Sequence, residues 1–584
     1  MVKYWAVFKK VRYFSLKPSQ DVAPPVFTLG DFVNQVLKFK YEQRKLATAI
    51  YSVIKTKLGP VRGEKRNTIW GGSYYSFEKI PFAKPPLGEL RFKAPEAVDP
   101  WDKELDCTSA AEKPLQTHMF FRKFAGSEDC LYLNVYAKDL QPNKLRPVMV
   151  WIYGGGFQVG EASRDMYSPD FFMSKDVVLV TVAYRLGALG FLSLDDPQLD
   201  VPGNAGLKDQ IMGLRWVQQN IEAFGGDPKN VTLFGESAGG ASTHFLALSH
   251  QTEGLIHKAI VMSGSVLCPW TQPPRNNWAY RLAQKLGYTG DDKDKPIFEF
   301  LKSVDGGEIV KASATILSND EKHHRVLFAF GPVMESYRTE HTVIDKPAYE
   351  LMQNPWSNRV PMMFGGTSFE GLLFYPEVSR RPATLDEVGN CKNLLPKDLS
   401  PNLDKKLREN YGLQLKKAYF GEESCNQANM MKFLELCSYR EFWHPIYRAA
   451  LARVRQSSAP TYLYRFDHDS KLCNPIRIVL CGNQMRGVCH GDDLGYLYHS
   501  MLSHQSAPDS PEYKVIKGMV DVWTSFAANG DPNCESIKDV KFAPLEDEND
   551  FKCLNITEPF KYITLPELKK IETVWNGFYA PNQL

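Results

Sequence analysis

Directly after the apolar run 231–234, the chain sets Ser237 between Gly235 and Gly239. This G-x-S-x-G form fits a sharp strand-to-helix turn that holds its central side chain in a strained backbone conformation. A serine hydroxyl is a weak nucleophile until a base takes its proton. Chemistry at 237 therefore needs a histidine, an acid to orient it, and donors for an oxyanion. A second glycine-rich strand end, "YGGGF" at 153–157, supplies the donors. Backbone N–H groups of Gly155 and Gly156, free of side chains, would join that of Ala238 around a tetrahedral oxygen. The chemistry implied is acyl transfer.

Twelve histidines compete for the role of base. When the serine leads, the acid and then the histidine follow it along the chain. His244 and His250 fall on the helix after Ser237 and are expected to point away from its hydroxyl. His468 in "YRFDHDS" follows a strand, and His490 in "GVCHGDDL" sits in a loop entering a helical pattern; residue pattern alone keeps both. Among 67 carboxylates, Glu370 stands out in "MMFGGTSFEG", a loop just past a strand. Glu236 is adjacent to the serine and is expected to leave the turn in another direction.

The elements that must position these groups are legible as α/β alternation. "RPVMVWIY" (146–153) and "VVLVTVAY" (177–184) read as strands covered on both faces. A helix follows at 208–224, then the strand "VTLF", the serine turn and a helix from about Ala238. Further strands are expected at 258–264, 360–366 and 461–466. Residues 271–355 and 375–450 read as helical insertions roofing the sheet. The 584 residues are 43% hydrophobic and 23% charged, with a net charge of +3. That describes a globular protein with a large core and no basic footprint for nucleic acid. Eleven cysteines show no paired CxxC spacing for zinc or redox chemistry.

Several stretches together resemble the type-B carboxylesterase/cholinesterase family. "FGGDPKNVTLFGESAG" fits its serine signature and "EDCLYLNVY" (128–136) its second signature. "YYSFEKIPFAKPPLGELRF", "YRLGALGFL" and "NAGLKDQ" follow the family in the same order. The resemblance covers about 61–575 and is nearest to insect alpha-esterases. It implies an α/β-hydrolase fold, with a mostly parallel sheet, helices on both faces and long insertions forming a gorge. It implies the triad Ser237, Glu370 and His490, which makes His468 a loop residue. It places Trp270, Phe328, Phe374 and Tyr153 at the substrate, matches Arg91 and Glu128 to a buried ion pair, and Cys107 and Cys130 to a disulfide loop. The activity implied is a serine carboxylesterase acting on hydrophobic esters in xenobiotic or lipid-ester metabolism, open to organophosphates and needing no metal or cofactor. The alternatives are a cholinesterase or a non-catalytic binding relative. The first is disfavoured because no tryptophan stands between Cys107 and Cys130, the second because all three triad positions are filled.

Residues 1–58 read as an extension and 59–584 as one catalytic domain. Phe32, Val36, Leu37, Tyr41, Leu46, Ile50, Val53 and Ile54 recur at helical spacing among lysines and arginines. Such a helix suits an anionic lipid surface or docking on the domain. The opening "MVKYWAVFKKVRYF" breaks its apolar run with Lys9 and Lys10, unlike a secretory signal. The expected location is therefore intracellular, in cytoplasm or against endomembranes or lipid droplets.

Overall fold

The computed structural model describes residues 29–117, 123–396, 398–399, 403–504 and 506–579. Helix α1 (Leu29–Lys45) leads into a thirteen-stranded sheet. The sheet opens with antiparallel β1 (Ala47–Lys55), β2 (Pro60–Asn67) and β3 (Ser73–Pro81), with β4 (Leu105–Asp106) beside β2. A small pair, β5 (Gln116–Thr117) and β6 (Phe124–Ala125), stands apart. β7 (Tyr132–Ala137) joins β3 to the parallel centre, which begins with β8 (Arg146–Ile152) and β9 (Val178–Val182). β10 (Gly226–Glu236), β11 (Lys258–Met262), β12 (Met362–Thr367), β13 (Thr461–Phe466) and β14 (Lys552–Ile556) continue in parallel. Antiparallel β15 (Lys561–Thr564) closes the far edge.

The central strands form where the sequence is apolar on both faces. Val148, Met149, Val150, Trp151 and Ile152 of β8 are all fully buried, which requires cover above and below the sheet. Helices supply it, among them α2 (Ala205–Asn220), α3 (Ala238–Leu248), α4 (His444–Gln456) and α5 (Pro511–Asn529). Helical insertions separate β11 from β12 and β12 from β13. Arg91 fastens one of them: its Nε donates to Glu128 Oε2 at 2.8 Å, and its Nη1 donates to the Val304 and Lys302 carbonyls at 2.7 and 2.9 Å.

The helix read across 32–54 is corrected. It ends at Lys45, and 47–55 form β1, paired with β2 in the register Tyr51↔Glu64 and Lys55↔Pro60. Ile50, Tyr51, Val53 and Ile54 are β-branched or aromatic and favour a pleated strand. A turn closed by Thr56 N–H on the Gly59 carbonyl at 3.0 Å returns the chain. α1 itself docks: Phe39 is buried among Met501 and Leu502, and Gln35 Nε2 donates to the Ser503 carbonyl at 3.0 Å. Residues 1–28 of the extension lie outside the described residues. No described helix is long and apolar enough to cross a membrane.

Candidate active site

β10 delivers the serine. It lies between β8 and β11, in the register Gly235↔Ile152 and Glu236↔Met262, and the chain turns at Ser237 with φ 59° and ψ −122° before α3 begins. Positive φ at a residue with a β-carbon is strained. The turn is held by Ser237 N–H donating to the Met262 carbonyl at 2.9 Å. Gly239 is demanded by close approach, since a β-carbon there would collide with the Ile152 carbonyl. Ala238 opens α3, so its N–H has no intrahelical acceptor.

The triple-glycine turn follows β8. Gly155 and Gly156 have φ of 115° and 62°, and the Gly155 carbonyl accepts N–H groups of Gln158 and Val159 at 3.0 and 3.1 Å. A β-carbon on Gly154 would stand 2.9 Å from both the Ser237 β-carbon and Glu236 Oε2. The glycine turn and the serine turn therefore abut.

Glu370 stands just beyond β12, fully buried. Its Oε1 accepts the Ser263 hydroxyl and the Thr367 N–H, each at 2.7 Å. Its Oε2 lies 2.5 Å from His490 Nδ1. His490 comes from a turn in which Asp492 Oδ2 accepts the Cys489 N–H at 2.7 Å, and the Phe442 ring packs on the imidazole at 4.6 Å. Glu236 corrects an expectation. Its carboxylate turns toward the imidazole, with Oε1 3.1 Å from Nε2. That approach lacks hydrogen-bond alignment, since Oε1 has no hydrogen-bond partner, so it is an electrostatic contact.

Burial would push the His490 imidazole down, but Glu236 and then Glu370 outweigh it and raise the pKa to about 9. Burial raises Glu236 to about 7 against the pull of His490. Two of the competing histidines, His244 and His468, are engaged elsewhere. His244 accepts the Val266 N–H at Nδ1, and burial drives it down to about 3. His468 packs edge-on against Tyr496.

The wall residues divide. Phe328 is half-buried, with its ring where a β-carbon on Gly156 would fall. Trp270 donates to the Glu441 carbonyl at 3.0 Å and packs between Phe157 and Phe442. Phe374 lies under the Arg325 guanidinium. Tyr153 is corrected from a substrate contact to a core residue: it is fully buried, stacked on Tyr184, and its hydroxyl donates to the Tyr184 carbonyl at 3.0 Å. Cys107 and Cys130 stand as buried thiols rather than a disulfide, and burial raises Cys107 to about 12. Sequence reasoning missed Ser263, Phe442 and the orientation of Glu236. Ser263 ends an expected strand and was in reach of such reasoning, whereas nothing in the sequence marks Phe442.

The model of the carboxylesterase family matches residues 51–573. The chain is 37% identical to esterase B1 of Culex pipiens, over 91% of this chain and 98% of that protein. It is 35% identical to a juvenile hormone esterase of Tribolium castaneum, over 83% and 85%. The crystal structure of juvenile hormone esterase from Manduca sexta, with OTFP covalently attached, superposes with a TM-score of 0.81 at 29% identity. It covers 91% of this chain and all of that one.

Proposed function

Because the chain belongs to the carboxylesterase family and is a serine carboxylic-ester hydrolase, we propose that Ser237, Glu370 and His490 perform its reaction on hydrophobic esters. His490 takes the Ser237 proton as the oxygen attacks the ester carbonyl. Glu370 fixes the tautomer through Nδ1 and stabilises the imidazolium. Gly155, Gly156 and Ala238 N–H groups receive the oxyanion. The alcohol leaves with the proton returned by His490, and water repeats the sequence to free the acid. The observation that carries this reading is the buried Glu370 carboxylate, 2.5 Å from His490 Nδ1. Organophosphates would phosphorylate Ser237 by the same attack. Ser237→Ala should lower turnover of a short aryl ester about a million-fold and abolish labelling by a phosphonate probe. Near-normal turnover in that variant would remove Ser237 from the mechanism.

A lipid surface is the second partner proposed, and an intracellular location goes with it. Leu37 and Tyr41, one helical turn apart on α1, are 56% and 60% exposed beside Lys38 and Lys45. Exposed apolar groups ringed by cations suit an anionic leaflet. Leu37→Asp with Tyr41→Asp should reduce co-sedimentation with phosphatidylserine vesicles, and equal sedimentation would remove α1 from that contact. Fractionation of cells expressing the full chain tests the location.

A further inference from the structure

Arg325 has a side-chain exposure of only 6%, yet half of its guanidinium is unused. Nη1 faces the Glu377 carboxylate at 3.2 and 3.3 Å. Nε and Nη2, which form one edge of the group, have no hydrogen-bond partner. The rings of Phe374 and Phe433 enclose the guanidinium, with centroids 4.8 and 5.9 Å from its carbon. Glu441, within electrostatic reach of Arg325, is also buried and leaves Oε2 without a partner, its Oε1 being held by Arg440. Buried donors and acceptors are nearly always met by protein, ligand or trapped water.

Short links of chain and contact join this cluster to the wall of the active site. Phe328, whose ring abuts Gly156, follows Arg325 by three residues. Glu441 holds Trp270 through its carbonyl, and its neighbour Phe442 packs on His490. Phe374 ends the turn that Glu370 begins. The charges decide what these unpartnered groups can accept. Arg325 and Arg440 balance Glu377 and Glu441, so a carboxylate entering here would add an uncompensated buried charge. An uncharged group that both accepts and donates would use the guanidinium edge and Glu441 Oε2 together.

We propose that Arg325 and Glu441 form a polar subsite behind the ester pocket, which takes a hydroxyl or carboxamide carried on the acyl or alcohol chain of the substrate. The preferred ester is then apolar near the carbonyl and polar but uncharged at its far end. This specificity rests on Ser237 being the nucleophile.

The test compares two six-carbon series by pH-stat: methyl hexanoate, methyl 6-hydroxyhexanoate and monomethyl adipate, and hexyl acetate, 6-hydroxyhexyl acetate and 6-acetoxyhexanoate. In at least one series, the ratio of kcat/KM for the hydroxy ester to that for its unsubstituted parent should fall about 10- to 100-fold in Arg325→Met, the loss expected for hydrogen bonds to a charged group. Glu441→Gln should lower the same ratio, with KM carrying most of the change. Equal ratios in wild type and Arg325→Met in both series overturn the subsite, as does a wild-type preference for the carboxylate esters. If Arg325→Met does not fold, as judged by circular dichroism, the wild-type ratios decide: hydroxy esters about tenfold poorer than their parents in both series overturn the proposal. Failure of the nucleophile assignment reads separately, as methyl hexanoate turnover retained in Ser237→Ala.

Discussion

The imidazole of His490 has a carboxylate at each nitrogen, Glu370 at Nδ1 and Glu236 at Nε2. Glu370 is locked by Ser263 and Thr367, whereas Glu236 makes only the electrostatic approach. With Glu236 at about 7 and His490 at about 9, the two titrate as a coupled pair. Between those values Glu236 is ionised and the imidazole protonated. The neutral imidazole that a general base requires accumulates only as pH rises toward 9, so kcat/KM should climb through that range. Glu236→Gln removes the leading attraction for the imidazolium and should move the midpoint of that climb down by about one pH unit. A pH profile of kcat/KM on a 4-nitrophenyl ester reads the shift, and an unmoved midpoint would show that Glu236 does not act on the base. Residue types at this site were legible in the sequence, because G-x-S-x-G and the triple glycine each state a backbone need. The direction of Glu236 was not, since the side-chain torsions that carry its carboxylate from the last position of β10 to His490 Nε2 are set by packing, and no residue type encodes them.

Elements were read best where one physical demand dominated. Strands β8, β9, β11, β12 and β13 are short, mostly buried apolar runs, and each was visible as a strand, as was the 231–234 part of the longer β10. α1 and β1 were merged because apolar residues spaced among lysines satisfy both periods over a short window. Pairing with β2 through the tight turn at 56–59 separates them. The glycine turn after β8 permits a sharper statement. Gly156 has φ 62° and lies against the Phe328 ring, so an aspartate there must displace the ring and set its carboxylate near the proposed oxyanion donors. Gly156→Asp should lower ester kcat at least ~10²-fold, the scale of one lost donor. The circular dichroism melt should stay close to wild type, because Phe328 is only half-buried. Steady-state turnover beside that melt checks it, and unchanged kcat would place the oxyanion hole elsewhere.

At the scale of the whole molecule, residues more than a hundred positions apart meet because β10 to β13 are neighbours running in parallel. Their carboxyl ends share one edge, where such sheets bind ligands. The site therefore exists only when the sheet and its insertions are locked together, and Arg91 is one lock. Its guanidinium joins the Glu128 carboxylate to the Val304 and Lys302 carbonyls, with side chains 12% and 13% exposed. Arg91→Ala strands a buried carboxylate and leaves those carbonyls without their charged donor, which should cost about 3–5 kcal/mol. Arg91→Met combined with Glu128→Leu removes both charges and should recover most of that loss, because apolar replacements of a buried pair are close to neutral. Urea unfolding followed by the fluorescence of buried Trp151, Trp443, Trp523 and Trp575 measures both variants, with ester turnover recorded at each urea concentration. The two signals should fall together in each protein, at lower urea in Arg91→Ala. An unmoved midpoint there would mean the pair carries no load, and activity lost well before fluorescence would mean the site can come apart while the sheet stands.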